Sequence, residues 1–244
     1  MNTIPQQLVD LGDAESSKEN RLDFSTVLAS SVHDMKNSIG MLLCTLDEIV
    51  GQCSPTDCQS SDGFAQLQYE GQRVSYNLIQ LLSIYKIEHS QYAANIDEIY
   101  CDEFLQESVM QFESLLTPKG INIEYDCDEA LTGFFDREMI SGVINNVINN
   151  AYRYSKDKIR LSAKQENDYL VISVEDNGRG YPESMMINGQ SPQTSVNFQT
   201  GSTGLGLYFS SLVAGIHKNK DKKGFIVCNN EGIDHGGCFS IYLP

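Results

Sequence analysis

Two runs of heptad-spaced apolar residues most constrain how the N-terminal third of this chain can fold. In both runs apolar residues recur at alternating steps of 4 and 3 positions, a spacing typical of helices that pack along a coiled-coil seam. The first run comprises Leu28, Val32, Met35, Ile39, Leu42, Leu46 and Ile49, and the second comprises Phe64, Leu67, Gly71, Val74, Leu78, Leu81 and Tyr85. Between them, Gly51 to Asp62 contains Pro55 and several Ser, Asp and Cys residues, which predicts a helix-breaking loop.

The two helices are expected to form a hairpin, and we predict that this hairpin dimerises with a second copy into a four-helix bundle. A lone hairpin would leave much of each apolar stripe in water, whereas pairing buries it. The alternative is a hairpin that packs on its own C-terminal domain. Because the heptad pattern breaks near residues 91–97, the expected domains are a flexible arm at 1–23, a helical hairpin at 24–94 and a C-terminal domain at 95–244.

Helix and strand patterns alternate through the C-terminal part of the chain. Apolar spacing predicts helices at 103–116, 137–154 and 204–216, and strands at 121–125, 159–164, 169–175, 225–228 and 238–243. Asp136 is expected to cap the second of these helices, and the basic residues 218–223 are expected to form a solvated turn. This order predicts an α+β fold in which helices cover one face of a mixed sheet.

The composition excludes several classes of protein. The 17 Lys and Arg residues against 33 Asp and Glu give a formal net charge of -16, so no nucleic-acid partner is expected, because phosphate binding needs cationic clusters. No run approaches the roughly 20 apolar residues of a membrane helix, and the polar N-terminus lacks the features of a signal peptide. We therefore expect no membrane association and a cytoplasmic location. The 7 cysteines, without a Cys-x-x-Cys, argue against a disulfide framework or a zinc site.

A line of polar side chains follows the helix at 137–154. Asn146 and Asn150 are one helical turn apart, Tyr154 continues the line and Arg153 lies beside it, so these side chains share a face. Amide oxygens are hard ligands that suit Mg²⁺, an ion that also binds substrate phosphates and water. The sequence therefore predicts a metal site at Asn150 and Asn146. A solvated helix that happens to be rich in asparagine is the alternative.

Two glycine-rich segments complete a predicted nucleotide pocket. Asp176 at a strand end can accept a hydrogen bond from an exocyclic amine, and Gly178 and Gly180 allow the backbone to approach a flat ring. The second segment opens a helix, whose free N–H groups and dipole suit phosphates; its candidate residues are Gly201, Thr203, Gly204, Leu205 and Gly206. Each segment alone is compatible with a simple glycine turn, but the three polar segments in this order indicate nucleotide binding.

His33 is the candidate nucleophile. It follows the seam residue Val32 and is therefore expected to be accessible to solvent. A neutral imidazole, with a pKa near 6.5, is a competent nucleophile at cellular pH. Asp34 can accept the other ring N–H, and Asn37, one turn on, can hold the incoming phosphate or a water. With the nucleotide pocket, this segment suggests phosphoryl transfer from ATP to histidine.

These segments resemble the sequence boxes of the sensor histidine kinases of two-component signalling, over about Phe24 to Pro244. The matching segments are 33–38 (H box), 146–155 (N box), 174–180 and 201–207 (glycine boxes) and 236–244 (closing strand). The resemblance implies a Bergerat-type ATP-binding sandwich preceded by a dimerising helical hairpin. It also implies that His33 accepts the phosphate with Asp34 as general base, that Asn150 is the principal Mg²⁺ ligand with Asn146 in support, that Tyr154 walls the adenine site and that Asp176 reads the adenine amine.

The function implied is that of a soluble homodimeric histidine kinase. It would autophosphorylate His33 from Mg-ATP and pass the phosphoryl group to the receiver domain of a separate response regulator, with phosphatase activity toward that regulator implied by Asp34 and Asn37. Because residues 182–200 lack a recognisable phenylalanine box, a phosphatase-biased or regulator-binding adaptor is the alternative, and an ATPase or protein-serine kinase is a third. With about 23 residues before the first helix, the input is expected from a separate sensor protein, from the hairpin or from a region outside this sequence.

Overall fold

The computed structural model describes residues 24–52, 61–188 and 205–244. The chain divides into two compact units, with the division between Ser75 and Tyr76. This division falls inside the second long helix, so the C-terminal turns of that helix are part of the second unit. The domain limits expected from the sequence stay a prediction.

The N-terminal unit is helical. Helix α1 spans Phe24–Gln52 and helix α2 spans Ser61–Glu88. Both helices extend by two residues into the predicted loop at 51–62. Pro55, the strongest helix breaker of that loop, lies away from its two ends. The centre of that loop, residues 53–60, lies outside the described residues.

Within the N-terminal unit, the two helices meet at Gly71. A Cβ on this residue would lie 2.8 Å from Leu43 Cδ2, so the missing side chain makes room for a leucine of α1. Other seam residues stay exposed in the single chain: Leu42 is 70% exposed and Leu67 60% exposed. This apolar surface is what the predicted four-helix bundle would bury, and the bundle itself stays a prediction.

Within the described residues, the C-terminal unit has a mixed sheet of six strands and, after the end of α2, three α-helices. The helices are α3 Cys101–Leu116, α4 Arg137–Tyr154 and α5 Leu205–Ile216. The strands are β1 Asp97–Tyr100, β2 Asn122–Cys127, β3 Thr132–Phe135, β4 Lys158–Glu166, β5 Tyr169–Asp176, β6 Ile187–Asn188, β7 Lys218–Asn219, β8 Lys222–Lys223, β9 Phe225–Asn229 and β10 Cys238–Leu243. The predicted α+β fold with helices and a mixed sheet is confirmed.

The six strands have the order β2-β4-β5-β10-β9-β6. Strands β2 and β4 run parallel, and the other neighbours in the sheet are antiparallel. Helices α3, α4 and α5 all contact the sheet. Alternate residues of β4 are buried: Ile159 and Leu161 are fully buried and Arg160 is partly exposed. This alternation is the pattern of a sheet with one face against its core.

Two short antiparallel ribbons lie outside the main sheet. Strand β1 pairs with β3, and β7 pairs with β8. The second ribbon shows that the expected solvated turn at 218–223 is a small hairpin, in which Lys220 adopts a positive φ of 53°. Among the described helices, none combines the length and apolar character needed to cross a bilayer.

Candidate functional site

Helix α4 carries the predicted metal-binding asparagines and begins at a capping residue predicted from the sequence. The Asp136 carboxylate accepts a hydrogen bond from the Met139 N–H at 3.0 Å, which satisfies one of the free donors of the first turn. One side of the helix packs in the core through Ile140, Ile144, Val147 and Ile148. The Asn146 and Asn150 side chains are half-buried on the other side.

Asn146 lies directly against the start of α5. A Cβ on Gly206 would be 2.3 Å from Asn146 Oδ1, so a side chain at residue 206 would displace the Asn146 amide from its present position. The Asn146 Nδ2 atom is buried and has no hydrogen-bond partner within the described part of the chain. A buried amide without a partner costs about 1–3 kcal/mol, so a polar ligand that reaches this amide would relieve that cost. The predicted residues Asn146 and Gly206 are therefore brought together.

The end of α4 lies against the first glycine segment. A Cβ on Gly178 would be 2.2 Å from the Tyr154 carbonyl oxygen, so the glycine is needed for packing on the helix end. The Tyr154 ring is 41% exposed, and the Arg179 guanidinium carbon lies 4.6 Å from the centre of that ring. This cation–π contact places a positive charge beside Tyr154, whereas the Arg153 side chain is exposed.

Asp176 ends β5 and faces two backbone donors. Its Oδ1 accepts hydrogen bonds from the Gly178 N–H at 2.7 Å and from the Gly237 N–H at 3.4 Å. Burial raises the pKa of Asp176, and these two backbone hydrogen bonds act against that rise. Gly180 has a φ of 73° and lies against the Asn230 amide. The carboxylate is thus half-buried and held in place, a setting suited to accepting one further hydrogen bond from a ligand amine.

Asn177 is a functional candidate that the sequence reasoning missed. Its side chain is buried, and Oδ1 accepts hydrogen bonds from the N–H groups of Lys156, Asp157 and Lys158 at 3.1–3.2 Å. Its Nδ2 donates to the Asp157 carboxylate at 2.7 Å. Asn177 therefore fixes the connection between α4 and β4 relative to the glycine segment. An asparagine between the aspartate and the glycine at a strand end was the available signal.

His217 is interpreted from the sequence as a structural residue, and in the structure it supports the start of α4. It is buried, its Nδ1 is 2.7 Å from the Val213 carbonyl oxygen, and its Nε2 accepts the Asp136 N–H at 2.9 Å. Because Nδ1 must carry the proton to donate to a carbonyl, Nε2 must be free of a proton to accept. The ring is therefore neutral in the folded protein, and burial lowers the pKa of His217.

The replacement His217→Gln is expected to make the free energy of unfolding fall less steeply as the pH is lowered. In the wild type the unfolded chain binds a proton at His217 below a pH of about 6.5 more readily than the folded protein does. The free energy of unfolding therefore falls as the pH drops below that value, by at most about 1.4 kcal/mol per pH unit from this residue. Glutamine retains an acceptor and does not titrate. Urea unfolding between pH 5 and 7.5 measures this, with His89→Gln as the exposed control; identical slopes in His217→Gln and wild type would refute it.

The remaining predicted residues fall into two groups. His33, Asp34 and Asn37 lie on α1 in the N-terminal unit, where the Asp34 and Asn37 side chains are exposed and the His33 side chain lies outside the description. Gly201, Thr203 and Gly204 also lie outside the described residues, as do 189–200 of the predicted ATP lid. Leu205 begins α5. The first part of the predicted lid has regular structure, since β6 pairs with β9.

Comparison with known proteins finds a family match within the second unit. The family model described as histidine kinase-, DNA gyrase B-, and HSP90-like ATPase matches residues 135–244. The adaptive-response sensory kinase SasA of Crocosphaera subtropica is 26% identical over 243 residues, which is 95% of this chain and 62% of SasA. The virulence sensor histidine kinase PhoQ of Salmonella typhimurium is 23% identical over 70% of this chain and 34% of PhoQ. The chain thus spans less than two thirds of the length of either relative.

Solved structures show the same fold. The Acinetobacter baumannii histidine kinase AdeS matches 85% of this chain and 95% of its own at 21% identity, with a TM-score of 0.56. Full-length ShkA, solved in complex with AMPPNP, matches 89% of this chain and 45% of its own at 17% identity, with a TM-score of 0.61. Together with the sequence relatives, these matches confirm the resemblance to sensor histidine kinases, and the match to the family of histidine kinase-, DNA gyrase B-, and HSP90-like ATPases covers residues 135–244.

Proposed function

We propose that the protein is a homodimeric histidine kinase that autophosphorylates His33 from Mg-ATP and transfers the phosphoryl group to a separate response regulator. The observation that carries this proposal is the continuous set of contacts along α4. Asn146 lies against Gly206, Tyr154 lies against Gly178, and Gly178 donates to Asp176. Two asparagine amides, the end of α4 at Tyr154 and a half-buried carboxylate thus lie in one region, which supports the proposal of an adenine-nucleotide site.

The residues present fit a nucleotide with its magnesium ion. Asn146 and Asn150 offer hard amide oxygens one turn apart, and the buried, unpartnered Asn146 amide marks a place where a polar ligand is favoured. When bound, Mg²⁺ would supply charge neutralisation at the phosphates. Asp176 would accept a hydrogen bond from the exocyclic amine of adenine, and the Tyr154 ring would border the base. The cationic Arg179 above Tyr154 would add attraction for the nucleotide.

The chemistry at His33 needs only a neutral ring. The unprotonated imidazole nitrogen attacks the γ-phosphorus, an N–P bond forms, and the P–O bond to the β-phosphate breaks to release ADP. The other ring nitrogen keeps its proton and donates a hydrogen bond to Asp34, whose carboxylate stabilises the cationic phosphoimidazole. The relatives are named as sensor kinases, which supports an aspartate-bearing receiver domain as the next acceptor.

The dimer is proposed from the exposed seam. Leu42, Leu67 and Val74 present apolar side chains to solvent in the single chain, and packing against a second copy would remove this surface from water. A cytoplasmic location stays a prediction of the sequence alone.

A second candidate is a phosphatase-biased adaptor of the same fold. Asp34 and Asn37 are exposed and three positions apart on α1. They are the acidic group and the amide on which such a phosphatase activity would depend, and this activity does not require ATP turnover. The amide of Asn37 would orient a water against the phosphorylated partner.

Incubation of the pure protein with Mg²⁺ and γ-labelled ATP separates these functions. A histidine kinase is expected to acquire label that is stable in alkali and lost in acid, because the N–P bond hydrolyses when the ring is protonated. Binding of the phosphorylated regulator and its dephosphorylation without self-labelling would favour the adaptor. Label on serine, or release of phosphate without labelled protein, would contradict both and indicate a serine kinase or an ATPase.

A further inference from the structure

The Asp136 side chain does more than cap α4. It is 2% exposed, and while Oδ1 accepts the Met139 N–H, Oδ2 accepts the Tyr92 hydroxyl at 2.7 Å and the Asn95 backbone N–H at 2.9 Å. The Asp136 N–H donates to His217 Nε2. One residue therefore joins the segment 89–96 that follows α2, the first turn of α4 and the residue that follows α5.

A cap alone does not require this arrangement. Serine, threonine or asparagine satisfies a helix N-terminus with one oxygen, whereas residue 136 serves the helix with one oxygen and the 89–96 segment with the other. Only a carboxylate offers two acceptor oxygens at this length. Burial, with the hydrogen bond to Asp136, raises the pKa of Tyr92, so its hydroxyl stays a donor throughout the physiological range.

Helices α4 and α5 pack against each other. The Asp136–His217 contact lies at one end of this pair, and the candidate nucleotide site lies at the other. Moving away from the Asp136–His217 contact, Gly142 faces the Phe209 ring, with a hypothetical Cβ 3.3 Å from Cζ, and Asn146 faces Gly206. Helices α4 and α5 are thus antiparallel and packed along this length. Asn146 is ten residues from Asp136, about 15 Å along a rigid helix.

A second hydrogen bond, at the residue just before the segment 89–96, connects the end of α2 to the start of α5. Glu88, the last residue of α2, accepts a hydrogen bond from the Tyr208 hydroxyl in the first turn of α5. Any displacement of the end of α2 would therefore reach α5 at Tyr208 and α4 at Asp136. Packed helices transmit such a displacement because the interior deforms little.

We propose that Asp136 is a positioning residue for the nucleotide site, which couples the segment 89–96 to the relative placement of α4 and α5. This inference rests on the proposed function, since it assumes that a nucleotide binds at Asn146 and Asn150. Coupling is reciprocal. Nucleotide binding beside Asn146 therefore stabilises the hydrogen bonds of Tyr92 and Asn95, and loosening these bonds weakens nucleotide binding.

The test uses the full chain with Mg²⁺ and ADP as the probe. Amide hydrogen exchange of residues 89–96 in the wild type is expected to slow severalfold when Mg-ADP is added. Tyr92→Phe keeps the ring and the Met139 cap but removes one hydrogen bond to Asp136; it is expected to lose this protection and to bind ADP about 2- to 10-fold more weakly in calorimetry. Tyr100→Phe, an exposed tyrosine on β1, is the matched control and is expected to behave as wild type.

The possible results lead to different conclusions. The inference is wrong if Tyr92→Phe binds ADP with wild-type affinity and if Mg-ADP leaves the amide exchange rates of residues 89–96 in the wild type unchanged. Asp136 would then be only a helix cap. Asp136→Asn keeps one acceptor oxygen and is expected to be at least as impaired as Tyr92→Phe; the double variant is expected to be no worse than Asp136→Asn. If the wild type takes up no ADP, the proposed function fails and this inference fails with it.

Discussion

The replacement His33→Gln is expected to abolish acid-labile labelling while leaving the affinity for Mg-ATP unchanged. Glutamine has a similar reach, but its amide nitrogen is not a nucleophile, because its lone pair is delocalised into the carbonyl. The candidate nucleotide residues Asn146 and Asp176 are all in the second unit, so their contacts with the ligand should be retained. The measurement is the label per protomer after incubation with Mg²⁺ and γ-labelled ATP, alongside calorimetry of nucleotide binding.

His89→Gln is the matched control for the loss of a histidine. The His89 side chain is exposed and its Nδ1 lies 2.9 Å from the Tyr85 carbonyl oxygen, so it has a local structural contact. This variant is expected to be labelled as the wild type is. Full labelling of His33→Gln, or equal loss of label in both variants, would mean that the phosphate acceptor lies elsewhere.

The replacement Asn150→Ala is expected to lower the affinity for Mg-ATP by about 100-fold and to reduce labelling at least in proportion. Changes to groups that merely support metal ligands cost about 10- to 100-fold in metal affinity, and Asn150 is proposed as a direct ligand. The effect should shrink strongly when nucleotide binding is measured with EDTA in place of Mg²⁺, because the lost oxygen serves the metal. Calorimetry with and without Mg²⁺ provides both numbers.

Asn149→Ala is a close control for this experiment. Asn149 is the neighbouring half-buried asparagine of α4, and the change to alanine raises helix propensity equally at both positions. It is expected to retain most of the affinity. If the two variants bound Mg-ATP equally well, the assignment of Asn150 as the metal ligand would have to be abandoned.

Local patterns predicted the elements of the second unit well. The Asp136 cap and the strands β4, β5 and β10 were all predicted from spacing and turn residues, and the structure confirms them. These features depend on interactions between residues close in sequence. The candidate site residues were found as motifs, and their roles stay predictions.

Contacts between distant parts of the chain were not predictable in the same way. The bonds of Asp136 to Tyr92 and His217 span 44 and 81 residues, and no local periodicity reports them. Gly178 and Gly206 were interpreted through a ligand, whereas the structure shows that a side chain there would also collide with Tyr154 and Asn146. A glycine's immediate neighbour is a property of the packed structure, not of the motif.

The Asp136 cluster has a consequence for dissecting this protein into fragments. A fragment cut at residue 95, the predicted limit of the C-terminal domain, would discard the Tyr92 hydroxyl and turn Asn95 into a free chain end. The buried Asp136 carboxylate would then lose the Tyr92 hydroxyl as a donor. Its other donor from this segment, the Asn95 nitrogen, would belong to a chain end that nothing upstream holds in place. Truncation upstream of Tyr92, and preferably upstream of Tyr76 where the compact unit begins, is therefore the rational choice for isolating the ATP-binding half.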